Sequence, residues 1–141
     1  MIEFHSETDF ELTDEKLVAD WILRVAHKHG KSISEISYVF CTDEYLLDMN
    51  QRFLNHDTLT DIITFDYTVG NEIGGDVFIS TERVAENAVD FGAEFNEELR
   101  RVIIHGVLHL CGFKDKSEDD EVQMRKLEDE ALEMFHVERP P

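Results

Sequence analysis

The segment "NEELRRVIIHGVLHLCG", residues 96–112, constrains this chain more than any other. Laid out at about 100° per residue, Leu99, Val102, Ile103, Gly106 and Leu110 share one face. A helix with so wide an apolar face must bury it against a sheet or other helices. His105 and His109 lie one turn apart at the edge of that face, where their imidazoles can converge on one point. Gly112 can adopt a left-handed conformation and turn the chain back, which lets Asp115 return toward the same point.

Other elements follow from local signals. "MIEFHS" (1–6) has the look of a short edge strand. Thr13 is placed to cap a helix that runs to about His29 and stops at Gly30. "EISYVFCT" alternates and is rich in β-branched residues, as a strand does. Thr42 is placed to cap the helix "DEYLLDMNQRFL". "TDIITFDY" and "IGGDVFIS" flank the turn residues "VGNE" and predict an antiparallel hairpin. Ser80 or Thr81, Asn96 and Ser117 are placed to cap three further helices. This order predicts an α+β fold: a small mixed sheet of about four strands, about five helices, and a metal site at the end of one of them. At 141 residues the chain fits a single domain spanning 1–141.

Composition narrows the function. The formal charge of −19 argues against non-specific nucleic-acid binding, so any RNA contact needs a local patch or a bound cation. No apolar run approaches the roughly 20 residues of a membrane span, and the N-terminus is acidic where a signal peptide is basic. A cytoplasmic protein with no membrane partner is expected. Cys41 and Cys111 fit reduced, buried thiols better than a disulfide framework.

Two histidines and one carboxylate leave an open position, the arrangement of a catalytic zinc site. With seven histidines in the chain, about 0.3 pairs at this spacing arise by chance, so the pair alone fits packed core histidines better than a metal site. The glycine and aspartate at turn-compatible positions shift the balance to one bound Zn2+, held by His105, His109 and Asp115. H-x-x-x-H-x-x-G-x-x-D has the spacing of a metzincin motif, yet Gly106 stands where those peptidases carry their glutamate base. A peptidase reading therefore keeps the metal and loses the base. Hydrolysis by a metal-bound water remains available for other substrates.

"HGVLHLCGFKD" resembles the H-G-x-L-H-L-x-G-Y-D-H motif of the YbeY family. "NQRFLNHDTLTDIITF" (50–65) is similar to that family's N-x-x-Y-R-x-K-D-x-P-T-D-V-L-S-F segment, and "GGDVFIS" (74–80) to its G-D-I-x-I-S. The resemblance implies a metal-dependent hydrolase. It would be a single-strand-specific endoribonuclease maturing ribosomal RNA, notably the 3′ end of the small-subunit RNA, in ribosome biogenesis. Three positions depart from the pattern: Asp115 replaces the family's third histidine, Leu54 its arginine and His56 its lysine. Asn50, Arg52, His56 and Lys114 are the expected substrate contacts, with Lys116 a further source of positive charge. Asp61 and Asp76 are expected either behind the ligand histidines or in turns. Glu98 falls on the histidine side of the helix, at i−7 from His105, and fits a solvated first-turn residue better than a support behind a ligand; no general base is assigned. The competing readings are a zinc peptidase without its glutamate and a non-catalytic, metal-stabilised ribosome assembly factor. The oligomeric state stays open.

Overall fold

A computed structural model describes residues 1–54 and 60–137. The chain runs β1 (Ile2–Ser6), α1 (Glu15–Lys28), β2 (Ser32–Cys41), α2 (Asp43–Met49), a π-helical turn (Asn50–Leu54), β3 (Ile62–Asp66), β4 (Glu72–Ser80), α3 (Thr81–Phe91), α4 (Phe95–Leu110) and α5 (Glu118–Val137). The four strands form one mixed sheet in the order β1-β2-β4-β3. β1 and β4 flank β2 in parallel, and β3 pairs antiparallel with β4, so the expected hairpin and mixed sheet are both present. Among the described residues no helix is long and apolar enough to cross a membrane.

The polar face of each end matches its sequence unevenly. Tyr45 N–H donates to the Thr42 hydroxyl at 3.1 Å, and Arg83 N–H to Ser80 at 3.1 Å. Asp120 N–H donates to Ser117 at 3.0 Å, so these three caps form as expected. Two do not. α1 starts after Asp14, which is itself left-handed (φ 57°) and makes no side-chain cap, so Thr13 lies outside the helix. α4 starts two residues earlier than an Asn96 cap would set, and Asn96 lies inside its first turn. The apolar Phe95 packs into the core and draws the helix start back. The helix expected over "DEYLLDMNQRFL" changes pitch at Asn50 into the π-helical turn.

The main core lies between one sheet face and α1, α4 and α5, with Trp21, Tyr38, Ile103, Ile104 and Leu108 fully buried. Each such side chain contributes about 1.5–3 kcal/mol by leaving water. Two buried polar groups pin the layers. Tyr38 Oη donates to the Ile103 carbonyl at 3.0 Å, and Trp21 Nε1 to the Ala131 carbonyl at 2.7 Å. A smaller cluster of Cys41, Leu46, Met49 and Ile63 fills the opposite face beneath α2. Both cysteines are free, and burial pushes Cys41 up to about 12 and Cys111 up to about 11. Cys111 is partly buried against the main core rather than fully inside it.

α4 crosses the sheet at Gly106. A Cβ there would sit 3.2 Å from Val77 Cγ1 and 3.3 Å from Ile62 Cδ1. The glycine thus seats the helix against β4 and β3, and its position faces the sheet instead of the solvent.

Candidate active site

α4 presents Glu98, Arg101, His105 and His109 along one side of a cleft of about 620 Å³. The α4–α5 loop adds Asp115, α5 adds Arg125 and Glu128, the two residues before β3 add Thr60 and Asp61, α2's continuation adds Asn50, and α3 adds Asn87 and Phe91. Gly112 (φ 105°) makes the left-handed turn that brings Asp115 back. His105 Nε2 then lies 3.3 Å from Asp115 Oδ2.

His105 is fixed from behind by a residue that the sequence reading missed. Glu128 Oε2 lies 2.7 Å from His105 Nδ1. The other Glu128 oxygen accepts from Arg101 Nη1 at 2.9 Å, and Arg101 Nη2 donates to Asp129 at 2.7 Å. Glu128 is 6% exposed, so this is a buried, fully partnered carboxylate. In the neutral imidazole, Nδ1–H donated to Glu128 leaves the Nε2 lone pair for a cation shared with Asp115; in the protonated imidazole Nε2–H points to Asp115 instead. Burial alone lowers the His105 pKa, but Glu128, Asp115 and Asp61 outweigh it and the net shift is upward.

Two more carboxylates face the cleft. Burial raises the pKa of Asp61, opposed by the positive field of His105. Burial raises Glu98 as well, opposed by Arg101. Glu98 is 5% exposed, so the expectation of a solvated first-turn residue is wrong: it falls at i−7 from His105, on the cleft side of α4.

The expected substrate contacts separate. Asn50 is buried and lines the cleft. Arg52 is outside it, exposed in a different groove and paired with Asp48 at 3.2 Å. Asp76 is also absent from the cleft. It pairs with Phe65 in the sheet, and both alternate onto the face opposite α4. Its carboxylate accepts from Tyr67 Oη at 3.1 Å and orients no histidine. Lys114 and Lys116 are exposed on the loop that carries Asp115 and do not line the cleft. His56 lies outside the described residues. Arg125 is the cation that sequence reasoning overlooked: it lines the cleft and makes no ion pair among the described residues.

His105, His109 and Asp115 supply two imidazoles and one carboxylate on a single cleft, and the Glu128-held tautomer is the one a metal-binding imidazole needs. That donor set fits a divalent transition metal. As the side chains stand, no three His, Cys, Asp or Glu groups among the described residues gather tightly enough to hold an ion. His109 is exposed at the cleft and lines it beside His105 and Asp115.

The fold and cleft define a compact hydrolase-like site in which a helical histidine pair faces buried carboxylates. The family model for endoribonuclease YbeY matches residues 1–136. An endoribonuclease YbeY of Flavobacterium psychrophilum is 57% identical over 139 residues, covering 99% of either chain. That of Christiangramia forsetii is 53% identical, covering 98% of this chain and 96% of the other. The solution structure of TM1509 from Thermotoga maritima superposes with a TM-score of 0.69 at 24% identity, covering 98% of this chain and 91% of that one, and supports the fold. The chain belongs to the endoribonuclease YbeY family.

Proposed function

We propose that this chain is a metal-dependent endoribonuclease that cuts single-stranded RNA in ribosomal RNA maturation, at the 3′ end of the small-subunit RNA, in the cytoplasm. His105, His109 and Asp115 would hold one zinc ion. The observation that carries this reading is His105 itself: Nδ1 is tied to a buried glutamate while Nε2 faces a second carboxylate in an open cleft. A bound zinc ion would supply Lewis acidity toward a phosphoryl oxygen and would acidify water.

The chain's own residues supply the rest. Glu128 orients His105, and Arg101 holds Glu128 in place. Asp61 and Glu98, both with pKa values above the usual carboxylate range, are suited to hold a proton beside the scissile phosphate. Arg125 is positioned to meet a phosphate, the role that sequence reasoning gave to Arg52, His56 and Lys114. The buried Asn50 adds an amide to the same wall. A peptidase reading is disfavoured by packing, because residue 106 faces Val77 and Ile62 and cannot present a base to the cleft.

The test is to measure metal in the purified protein and then to incubate it with single-stranded RNA, duplex RNA and casein, beside His109→Ala. Cleavage of single-stranded RNA alone, abolished by His109→Ala, is the expected result. Casein cleavage would favour the peptidase. A folded, metal-bearing protein inert on all three would favour a ribosome assembly factor.

A further inference from the structure

α3 ends at the cleft with a residue that the hydrolytic chemistry does not use. Phe91 is 62% exposed and lines the cleft rim, leaving a large apolar ring in water. A single exposed aromatic is ordinary by itself. Asn87 supplies a second, independent observation. It lies one turn earlier on the same helix face and lines the same cleft, and its solvent-reached side-chain amide makes no hydrogen bond among the described residues, which leaves it open to a ligand. Both sit on α3, which is capped by Ser80 at its start and stopped by Gly92 (φ 66°) directly after Phe91.

We propose that Phe91 and Asn87 form a nucleobase subsite on the rim of the cleft, with the ring stacking on the base and the amide reading its edge. This rests on the RNA reading above. The chemistry is matched. Unpaired bases are bound by stacking on aromatic rings and by hydrogen bonds to their exposed edges. A carboxamide presents one acceptor and two donors side by side, which pairs with the adjacent donor and acceptor of a base edge. A base locked in a duplex offers neither face nor Watson–Crick edge, so this subsite would itself discriminate against duplex RNA. It also suits a chain of charge −19, because stacking gains affinity without added cations.

The test compares binding, by fluorescence anisotropy, of a single-stranded 2′-O-methyl octanucleotide and of the same backbone carrying abasic sites. The full chain is compared with Phe91→Ala, Phe91→Trp and Asn87→Ala. The intact protein is expected to prefer the base-bearing strand. Phe91→Ala should weaken binding of that strand by about 5- to 100-fold, the range of one base–aromatic stack, and leave the abasic strand unchanged. Phe91→Trp should retain the preference, with its added indole fluorescence quenched on binding. Asn87→Ala should narrow the preference among the four bases. The proposal is overturned if the intact protein binds both strands equally or neither, or if Phe91→Ala binds the base-bearing strand as the intact protein does. A retained base preference in a protein that cleaves no RNA would count against the nuclease reading and leave the subsite standing.

Discussion

His105 Nδ1 and Glu128 Oε2 lie 2.7 Å apart, joining the middle of α4 to the buried stripe of α5. This contact sets which imidazole nitrogen faces the cleft. Glu128→Gln keeps the shape and removes the charge, so zinc affinity should fall by about 10–100-fold while the protein stays folded. Competition with a chromophoric chelator measures it. Unchanged affinity would mean that Glu128 only packs and pairs with Arg101.

Gly106 separates packing from chemistry. Gly106→Ala gains about 1 kcal/mol of helix propensity but crowds Val77 and Ile62 at 3.2 and 3.3 Å, so the net change should stay within about 1 kcal/mol. Gly106→Glu drives a charge toward the sheet and should cost at least about 3 kcal/mol. Urea unfolding of both variants decides it. A stable Gly106→Glu protein with casein-cleaving activity would reverse the account of this position.

Glu98 predicts a pH-dependent stability difference. Its folded-state pKa is raised, by burial first. The folded state therefore holds the proton more tightly than the unfolded chain. The resulting stability is fully present below the ordinary carboxylate pKa and lost as pH rises through the folded value. In metal-stripped protein, Glu98→Gln should raise Tm at pH 7–8, and the difference should shrink toward zero near about pH 4. A pH-independent difference in scanning calorimetry would contradict this.

Arg125 should act as a phosphate contact. Arg125→Ala should raise KM for single-stranded RNA, leave kcat nearly unchanged, and reduce the slope of log affinity against log salt by about 0.7, the contribution of one phosphate contact. Arg52→Ala, in the separate groove, should change neither.

The element order, the hairpin and three of the helix caps were legible because each follows from local periodicity or from one hydroxyl meeting one backbone N–H. The histidine pair was legible for the same reason: its spacing is helical. Glu128 was not, because it reaches His105 across 23 residues of chain and sits in a strongly acidic helix. A signal existed, since Met124, Glu128, Ala131, Leu132 and Phe135 share one buried stripe, and a carboxylate on such a stripe requires a partner. Glu98 gave the same signal on α4. Asp76 misled because strand alternation, which decides its face, depends on the register with β3. Arg52 misled because the change of pitch at Asn50 redirects the side chains after it.

The central claim is that RNA cleavage depends on zinc held by His105, His109 and Asp115. Its most direct test is the cleavage rate of a single-stranded RNA by metal-stripped protein as zinc is added back, for the intact chain and for His109→Ala. Stripped protein is expected to cleave nothing, activity to recover and saturate at one zinc per chain, and folded His109→Ala not to recover. Equal cleavage by the stripped protein, or full recovery in His109→Ala, would contradict it.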